Sequence, residues 1–223
     1  MAIAWVQNAA GAAYGPSTTQ TITLSGVGSG NCLLCSVAGY YNQVTSVKDQ
    51  SNNAFTLGVR ASTAGGWVEV WYQLSAVGGS TTITVTTPAG TYQTLFLGEA
   101  SGVDTSGQPR TTGTATAGST AVTTLSTGSL TTTAGDLIVS GLSLTANGGT
   151  LTWTSGETAA GSAVNAGGNE SGAMGYALSA GGSAVRQATW TSASSFAALA
   201  SLVLKPAATS TVKHFLMTLG CGN

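Results

Sequence analysis

The sequence predicts an all-β fold, a jelly-roll-like β-sandwich built from two similar halves, on three observations. The first is composition: 42% of residues are hydrophobic, only 6% are charged and 32 are glycine, while Thr, Ser and Val recur throughout. β-Branched side chains among so many turn-forming glycines favour short strands. The second is patterning, because apolar residues alternate or run in short blocks between Gly-rich breaks and no stretch keeps a helical period. The third is self-similarity. Tyr72-Gln73-Leu74-Ser75-Ala76 recurs as Tyr176-Ala177-Leu178-Ser179-Ala180 at an offset of 104 (176 against 72), and Gly30-Asn31-Cys32-Leu33-Leu34-Cys35-Ser36 faces Gly135-Asp136-Leu137-Ile138-Val139-Ser140-Gly141 at 105 (135 against 30).

The elements follow in chain order. Residues 19–24 alternate polar and apolar, as a half-buried strand does. Strands are expected over 33–41 and 44–47, then a turn at Asp49-Gln50-Ser51-Asn52-Asn53, whose side chains cap tight turns. Further strands are expected over 54–60, 67–74, 82–86 and 93–99, divided by Gly-Gly and Pro-Ala-Gly. In the second half Ala146-Asn147-Gly148-Gly149 is the strongest hairpin turn. Thr82-Ile83-Thr84-Val85 faces Val185-Arg186-Gln187-Ala188, and Leu95-Phe96-Leu97 faces Leu202-Val203-Leu204.

These matches divide residues 1–205 into half 1 (about 19–101) and half 2 (about 122–205), joined by a low-complexity run over 104–120. Each half offers one apolar face, most simply buried against the other half as a single sandwich; two separate small sandwiches are the alternative. Residues 206–223 form a C-terminal extension in which 211–219 reads as an extra strand, closing an edge or pairing with a neighbouring subunit.

Six basic and seven acidic residues give a net charge of -1, with no basic patch for a phosphate backbone, so nucleic acid is not an expected partner. The N-terminus lacks the basic and apolar regions of a secretory signal, and no window holds the ~18 apolar residues of a membrane span. A membrane is therefore not an expected partner. Assembly in a host cytoplasm followed by lysis, the way a virus particle leaves a bacterium, fits these features. Low charge also opposes aggregation weakly, so part of the surface is expected to be covered by copies of the chain or by a partner.

Candidate chemistry is sparse. Cys32 and Cys35 form a Cys-x-x-Cys, but three residues along a strand span about 10 Å and point to opposite faces, beyond disulfide reach. The facing positions Leu137 and Ser140 carry no thiol, so buried free cysteines are expected. Cys221 and His214 add too few ligands for a zinc site, and His214 has no nucleophile motif beside it. No metal or cofactor is expected. Glu69 and Glu99 lie in expected strands and would be the pair for a glycosidase, but carboxylates so placed more often meet a cation such as Arg60 or Lys48, or loop amides. The Asp49 to Asn53 oxygens lack the spaced acidic set of a calcium loop. Trp67, Tyr92 and Trp153 are the candidates for stacking on a sugar ring, with core packing as the alternative for each.

Gly30-Asn31 opening an apolar strand, Val44-Thr45-Ser46-Val47-Lys48-Asp49-Gln50-Ser51-Asn52-Asn53-Ala54-Phe55, Val70-Trp71-Tyr72, Gly78-Gly79-Ser80-Thr81-Thr82-Ile83-Thr84-Val85 and Gly98-Glu99-Ala100-Ser101-Gly102-Val103-Asp104 follow one another in order. This succession resembles a β-sandwich family of bacteriophage virion proteins and bacterial surface proteins. The family often shows an Asp-Ser-x-Gly-Asn turn and a Glu-Tyr-Ser-Gly-Val segment; here Asn52 replaces the turn glycine and Ala100 the tyrosine. The resemblance implies a non-enzymatic virion part without catalytic residues. One form is a capsid cement (decoration) protein on the outer capsid surface, a homotrimer bound to the major capsid protein. The other is the head of a tail fibre or tailspike that meets a host-surface glycan. Trp5 in the N-terminal arm and Phe215, Leu216 and Met217 in the extra strand are the expected subunit contacts.

Overall fold

The computed structural model describes residues 1–9, 11–145, 149–165 and 170–208. Every regular element among them is a strand. The first half supplies β1 (Ala4–Asn8), β2 (Ala12–Val27), β3 (Cys32–Gly39), β4 (Ser46–Asp49), β5 (Thr56–Ser62), β6 (Trp67–Gln73) and β7 (Gly79–Ser101). The second supplies β8 (Thr111–Ala117), β9 (Val122–Ser126), β10 (Leu130–Leu144), β11 (Leu151–Trp153), β12 (Thr158–Asn165), β13 (Glu170–Ala184), β14 (Gln187–Ser194) and β15 (Ala197–Leu204).

Among the described residues all strand pairings are antiparallel, and three sheets form where a two-sheet sandwich was the simplest expectation. The first follows β1-β7-β3-β6-β5, with β2 and β4 also on β7. The long β7 serves two sets of neighbours: residues 83–86 lie between β2 and β4, while residues 93–100 pair with β3 on one side and, on the other, with β2 over 93–95 and β1 over 98–100. The second sheet runs β12-β13-β10-β15-β8, and the third β11-β14-β9.

Side-chain alternation on these strands feeds several apolar layers. On β3, Leu33, Cys35 and Val37 join Ile22, Val47, Trp67, Trp71, Ile83 and Leu97 in the interior of the first half. Cys32, Leu34 and Ala38 point the other way, into a cluster with Val68, Val70 and Phe96 from the first half and Leu137, Val139, Met174, Ala200 and Leu202 from the second. Burial on both faces explains why β3 and β15 read as continuous apolar runs. A further cluster of Leu125, Leu142, Leu144, Trp153, Trp190 and Leu199, and a smaller one of Leu130, Ile138 and Val203, fill the second half.

Small residues set the close approach of the halves. A Cβ on Gly141 of β10 would stand 2.5 Å from Ser36 Oγ and 2.8 Å from Val68 Cγ2 of the facing sheet. No real side chain tolerates those distances.

One expectation needs correction. The run 104–120 was expected to be a linker, yet Thr111–Ala117 is β8, the edge strand paired with β15 over residues 111–117 and 197–203. Its sequence, TTGTATA, alternates half-buried and exposed positions without one large apolar side chain, so its period carries almost no hydropathy contrast. The expected hairpin turn at Ala146-Asn147-Gly148 and the extra strand over 211–219 lie outside the described residues.

Candidate functional site

The two thiols are packing groups. Cys32 and Cys35 are free and buried in different apolar clusters, on opposite faces of β3. Burial pushes both thiols up to about 12, with the Glu69 charge adding to the effect on Cys35, so neither forms a thiolate at neutral pH. His214 and Cys221 lie outside the described residues. Among the described residues, no three His, Cys, Asp or Glu side chains gather as a metal site.

Glu69 and Glu99 are tied into separate networks. Glu69, fully buried on β6, accepts hydrogen bonds from Arg60 Nε at 2.8 Å and Trp71 Nε1 at 2.6 Å. Burial raises its pKa against the pull of the Arg60 guanidinium and these bonds. Glu99 accepts from Gly28 N at 2.7 Å, Asn31 Nδ2 at 2.5 Å and Gln7 Nε2 at 2.6 Å. Burial works to raise its pKa, but the three donors outweigh it and hold the carboxyl below its ordinary value. On β3, Glu69 pairs with Val37 and Glu99 with Leu33. Four residues along and two strands across place their backbones roughly 16 Å apart by strand geometry, outside the roughly 5–9.5 Å of a glycosidase carboxylate pair.

The aromatic candidates turn inward. Trp67 is 2% exposed and Trp153 9%, so neither offers a ring face to a sugar; each covers a strand glycine, Gly39 and Gly175 respectively. Tyr92 is half-buried. The Trp5 ring stacks on Tyr176 of the second half, with centroids 4.1 Å apart and planes 5° off parallel, and thereby joins two parts of one chain. Phe215, Leu216 and Met217 lie outside the described residues.

The structure instead exposes a site with no motif behind it. A cavity of about 500 Å³ opens in the second half beside the end of β13, lined by Ile138, Ser155, Gly156, residues 177–181 and residues 183–186. Two features shape its wall. β13 carries a register shift against β10 between Ala134 and Leu137, and positive φ at Gly181 (95°) and Gly182 (88°) turns the strand where a side chain would strain it. Ser179 Oγ accepts from Gly181 N at 2.9 Å and pairs with Thr132 Oγ1 at 2.6 Å.

Arg186 is the charged residue of the lining. Its backbone is clamped to Thr127 by two bonds, Arg186 N to Thr127 Oγ1 at 3.0 Å and Thr127 N to Arg186 O at 2.9 Å. Its side chain is 10% exposed, and its Nε lies 3.7 Å from Glu157 Oε1 without forming a hydrogen bond. Glu157, fully buried, is held by Ser155 Oγ at 2.7 Å and more loosely by Ser140 Oγ at 3.5 Å. Ser155 Oγ in turn accepts from Gln187 N at 2.7 Å. The Nε of this near-buried guanidinium is itself buried and has no hydrogen-bond partner.

In the first half, the corner between the β4–β5 loop and the start of β7 is covered by its own side chains. Asp49 accepts from Ser51 N, Asn53 N, Asn53 Nδ2 and Gln73 Nε2 at 2.8–3.1 Å. Gln50 bridges the start of β7, donating to Ser80 O at 3.1 Å and accepting from Thr82 N at 2.9 Å. The shorter β11–β12 loop, Thr154 to Glu157, bonds to Gln187 at the start of β14, Thr154 Oγ1 donating to Gln187 Oε1 at 2.8 Å and Ser155 Oγ accepting from Gln187 N at 2.7 Å.

No protein-family model matches the chain, and no curated protein matches it. The resemblance to virion β-sandwiches therefore stands on the motifs alone.

Proposed function

We propose that the chain is a non-enzymatic structural component of a bacteriophage particle, a capsid cement (decoration) protein bound as a homotrimer to the major capsid protein. The observation that carries this reading is where the charge sits. Of six basic and seven acidic side chains, eight form four ion pairs: Arg60–Glu69, Arg110–Asp136, Arg186–Glu157 and Lys205–Asp104. Asp49 and Glu99 are held by amide donors, and Glu170 is fully buried. Among the described residues this leaves Lys48 as the charged side chain that is neither paired nor fully buried. The exterior is a nearly neutral field of Thr, Ser, Gly and Ala, suited to broad contacts by hydrogen bonding and shape that salt does not screen.

Strand order supports a duplicated, jelly-roll-like build for such a part. Counting the two stretches of β7 separately, each half has eight strands, and each places its first, eighth, third, sixth and fifth side by side and its second, seventh and fourth together. A jelly roll whose fifth strand moved beside the sixth would give this order, which supports the reading. Packing between the halves is reciprocal, β7 against β13 as β6 is against β15, with β3 against β10, like an isologous dimer within one chain. Open edges such as β5 and β12 leave backbone donors and acceptors for neighbouring subunits.

The test compares particles with and without the protein. Particles lacking it are expected to lose integrity at lower temperature and at low ionic strength, and purified protein added back is expected to restore both. Unchanged resistance would overturn the cement reading. A second reading, a fibre or tailspike head that binds a host-surface glycan, is favoured by one observation, the cavity of about 500 Å³ beside the end of β13.

A further inference from the structure

The seam between the halves is aliphatic along most of its length, with Leu34, Val70, Leu137, Val139 and Leu202 in its buried cluster. It turns polar at the end where β3 finishes and β13 begins. There Ser36, Ala38 and Thr94 from the first half meet Ser143, Gly172 and Glu170 from the second. Strand register brings them together: Thr94 pairs with Ala38 and Ser143 with Gly172, while a Cβ on Gly172 would run into Thr94 Oγ1 and stand 3.1 Å from Ala38 Cβ. Glu170 lies two residues before Gly172 on β13, hence on the same face. Ser36, Thr94, Ser143 and Glu170 are all buried, and Ser36 Oγ, Thr94 Oγ1, Ser143 Oγ and both Glu170 carboxylate oxygens have no hydrogen-bond partner.

We propose that this end of the seam is a pH-operated latch, closed while Glu170 holds its proton and opened when that proton leaves to solvent, as β12 and the start of β13 move off β3 and β7.

The surroundings offer an ionised Glu170 nothing. β3, β7, β10 and β12 pack on β13, and none of the five strands carries a Lys or Arg. Asp136 on β10 is paired with Arg110, and Glu99 on β7 is held by amide donors. The other titratable groups of these elements are phenols and thiols: Tyr92 on β7, Tyr176 on β13, Tyr40 just past the end of β3, and Cys32 and Cys35 on β3. Asn165, beside Glu170 on β12, gives its amide to Tyr14 O. A carboxylate left dry in this way is strongly disfavoured, and burial raises the Glu170 pKa well above the ordinary value. The closed state therefore binds the proton more tightly than an open, hydrated one. Closure is strongest below the ordinary carboxyl pKa and weakens as pH rises through the raised one.

Opening at this end is the least costly response to ionisation. It hydrates five oxygens that lack partners, while the small side chains Ser36, Ala38, Thr94 and Ser143 expose little apolar surface. The aliphatic remainder of the seam has no such reason to part, so the opening stays local.

The experiment is hydroxyl-radical footprinting of the full chain with peptide mass mapping, from about pH 5 to about pH 9.5, past the ~8–9 reached by documented buried glutamates. Met174, fully buried two residues beyond Gly172 on the same face, is the reporter, and Met1, 69% exposed, gives the radical dose. Oxidation of Met174 relative to Met1 is expected to rise about tenfold over this range, because the ionised fraction grows about tenfold per pH unit below a pKa. In Glu170→Gln and in the apolar Glu170→Met the ratio is expected to stay flat. Val139 and Leu202 are expected to remain protected throughout. A flat ratio in the parent would overturn the latch. A rise that persists in both variants would assign it to another group, and a rise shared by Val139 and Leu202 would show general loosening of the chain; either would overturn it as well.

Discussion

Leu202→Ala measures the packing of one half of the chain on the other. Leu202 is fully buried on β15 and extends into the first half, where its Cδ2 would be 2.6 Å from a Cβ on Gly58. Truncation removes three carbons from water-excluded surface, about 2–3 kcal/mol at roughly 0.8 kcal/mol per methylene, and leaves a void with its own cost. Gly58 has no side chain to move in, and β5 is pinned to β6 on both sides of that residue. Little collapse is possible, so the loss belongs in the upper part of the measured Leu→Ala range, about 3–5 kcal/mol. For a chain of this size that is a fall in Tm of roughly 6–20 °C. Urea and thermal unfolding followed by tryptophan fluorescence and far-UV circular dichroism read it. Leu178→Ala, at an exposed position, is the control and should cost less than about 0.5 kcal/mol. A Leu202→Ala loss under about 1 kcal/mol with the same unfolding slope would refute the packed seam.

Three further outcomes follow from buried polar groups. Glu170 is fully buried, neither carboxylate oxygen has a hydrogen-bond partner, and burial holds its pKa well above the ordinary value. The folded state therefore binds its proton more tightly than the unfolded state, a contribution present below the ordinary carboxyl pKa and lost as pH rises through the raised one. Glu170→Gln should match the parent near pH 4 and exceed its stability at pH 7, by about 1–3 kcal/mol; equal stabilities at both pH values would contradict this. Arg60→Ala strands the buried Glu69 carboxylate and should cost about 1–3 kcal/mol, less than a fully buried pair because Arg60 is 33% exposed; a neutral result in urea unfolding would show that Glu69 does not depend on it. Iodoacetamide should label Cys32 and Cys35 only on the timescale of unfolding, as peptide mass mapping would follow, and rapid labelling of the native chain would contradict their burial.

Much of the first half was legible because its strands carry contrast. The expected 67–74 and 33–41 strands became Trp67–Gln73 and Cys32–Gly39, bounded by glycine and polar turns as their sequences indicate. The expected 82–86 and 93–99 strands proved to be one strand, Gly79–Ser101, since Pro88-Ala89-Gly90 did not end it. β8 was hidden because Thr against Gly and Ala lacks the hydropathy step that marks a buried face. The candidate site was not legible at all. Ser155, Ser179 and Arg186 come from two loops and from β13, and only the register shift of β13 and the β11–β12 loop bring them to one cavity. Trp67 and Trp153 misled for a related reason: an aromatic ring in a sequence does not say which way its strand face points.

The most direct test of the central claim is immunogold electron microscopy of the phage particles that carry this chain, using an antibody to its exposed loops. The cement reading predicts label distributed over the capsid shell and retained after a wash in 1 M salt, as contacts without charge require. Label confined to a tail tip, or particles that carry none, would contradict it.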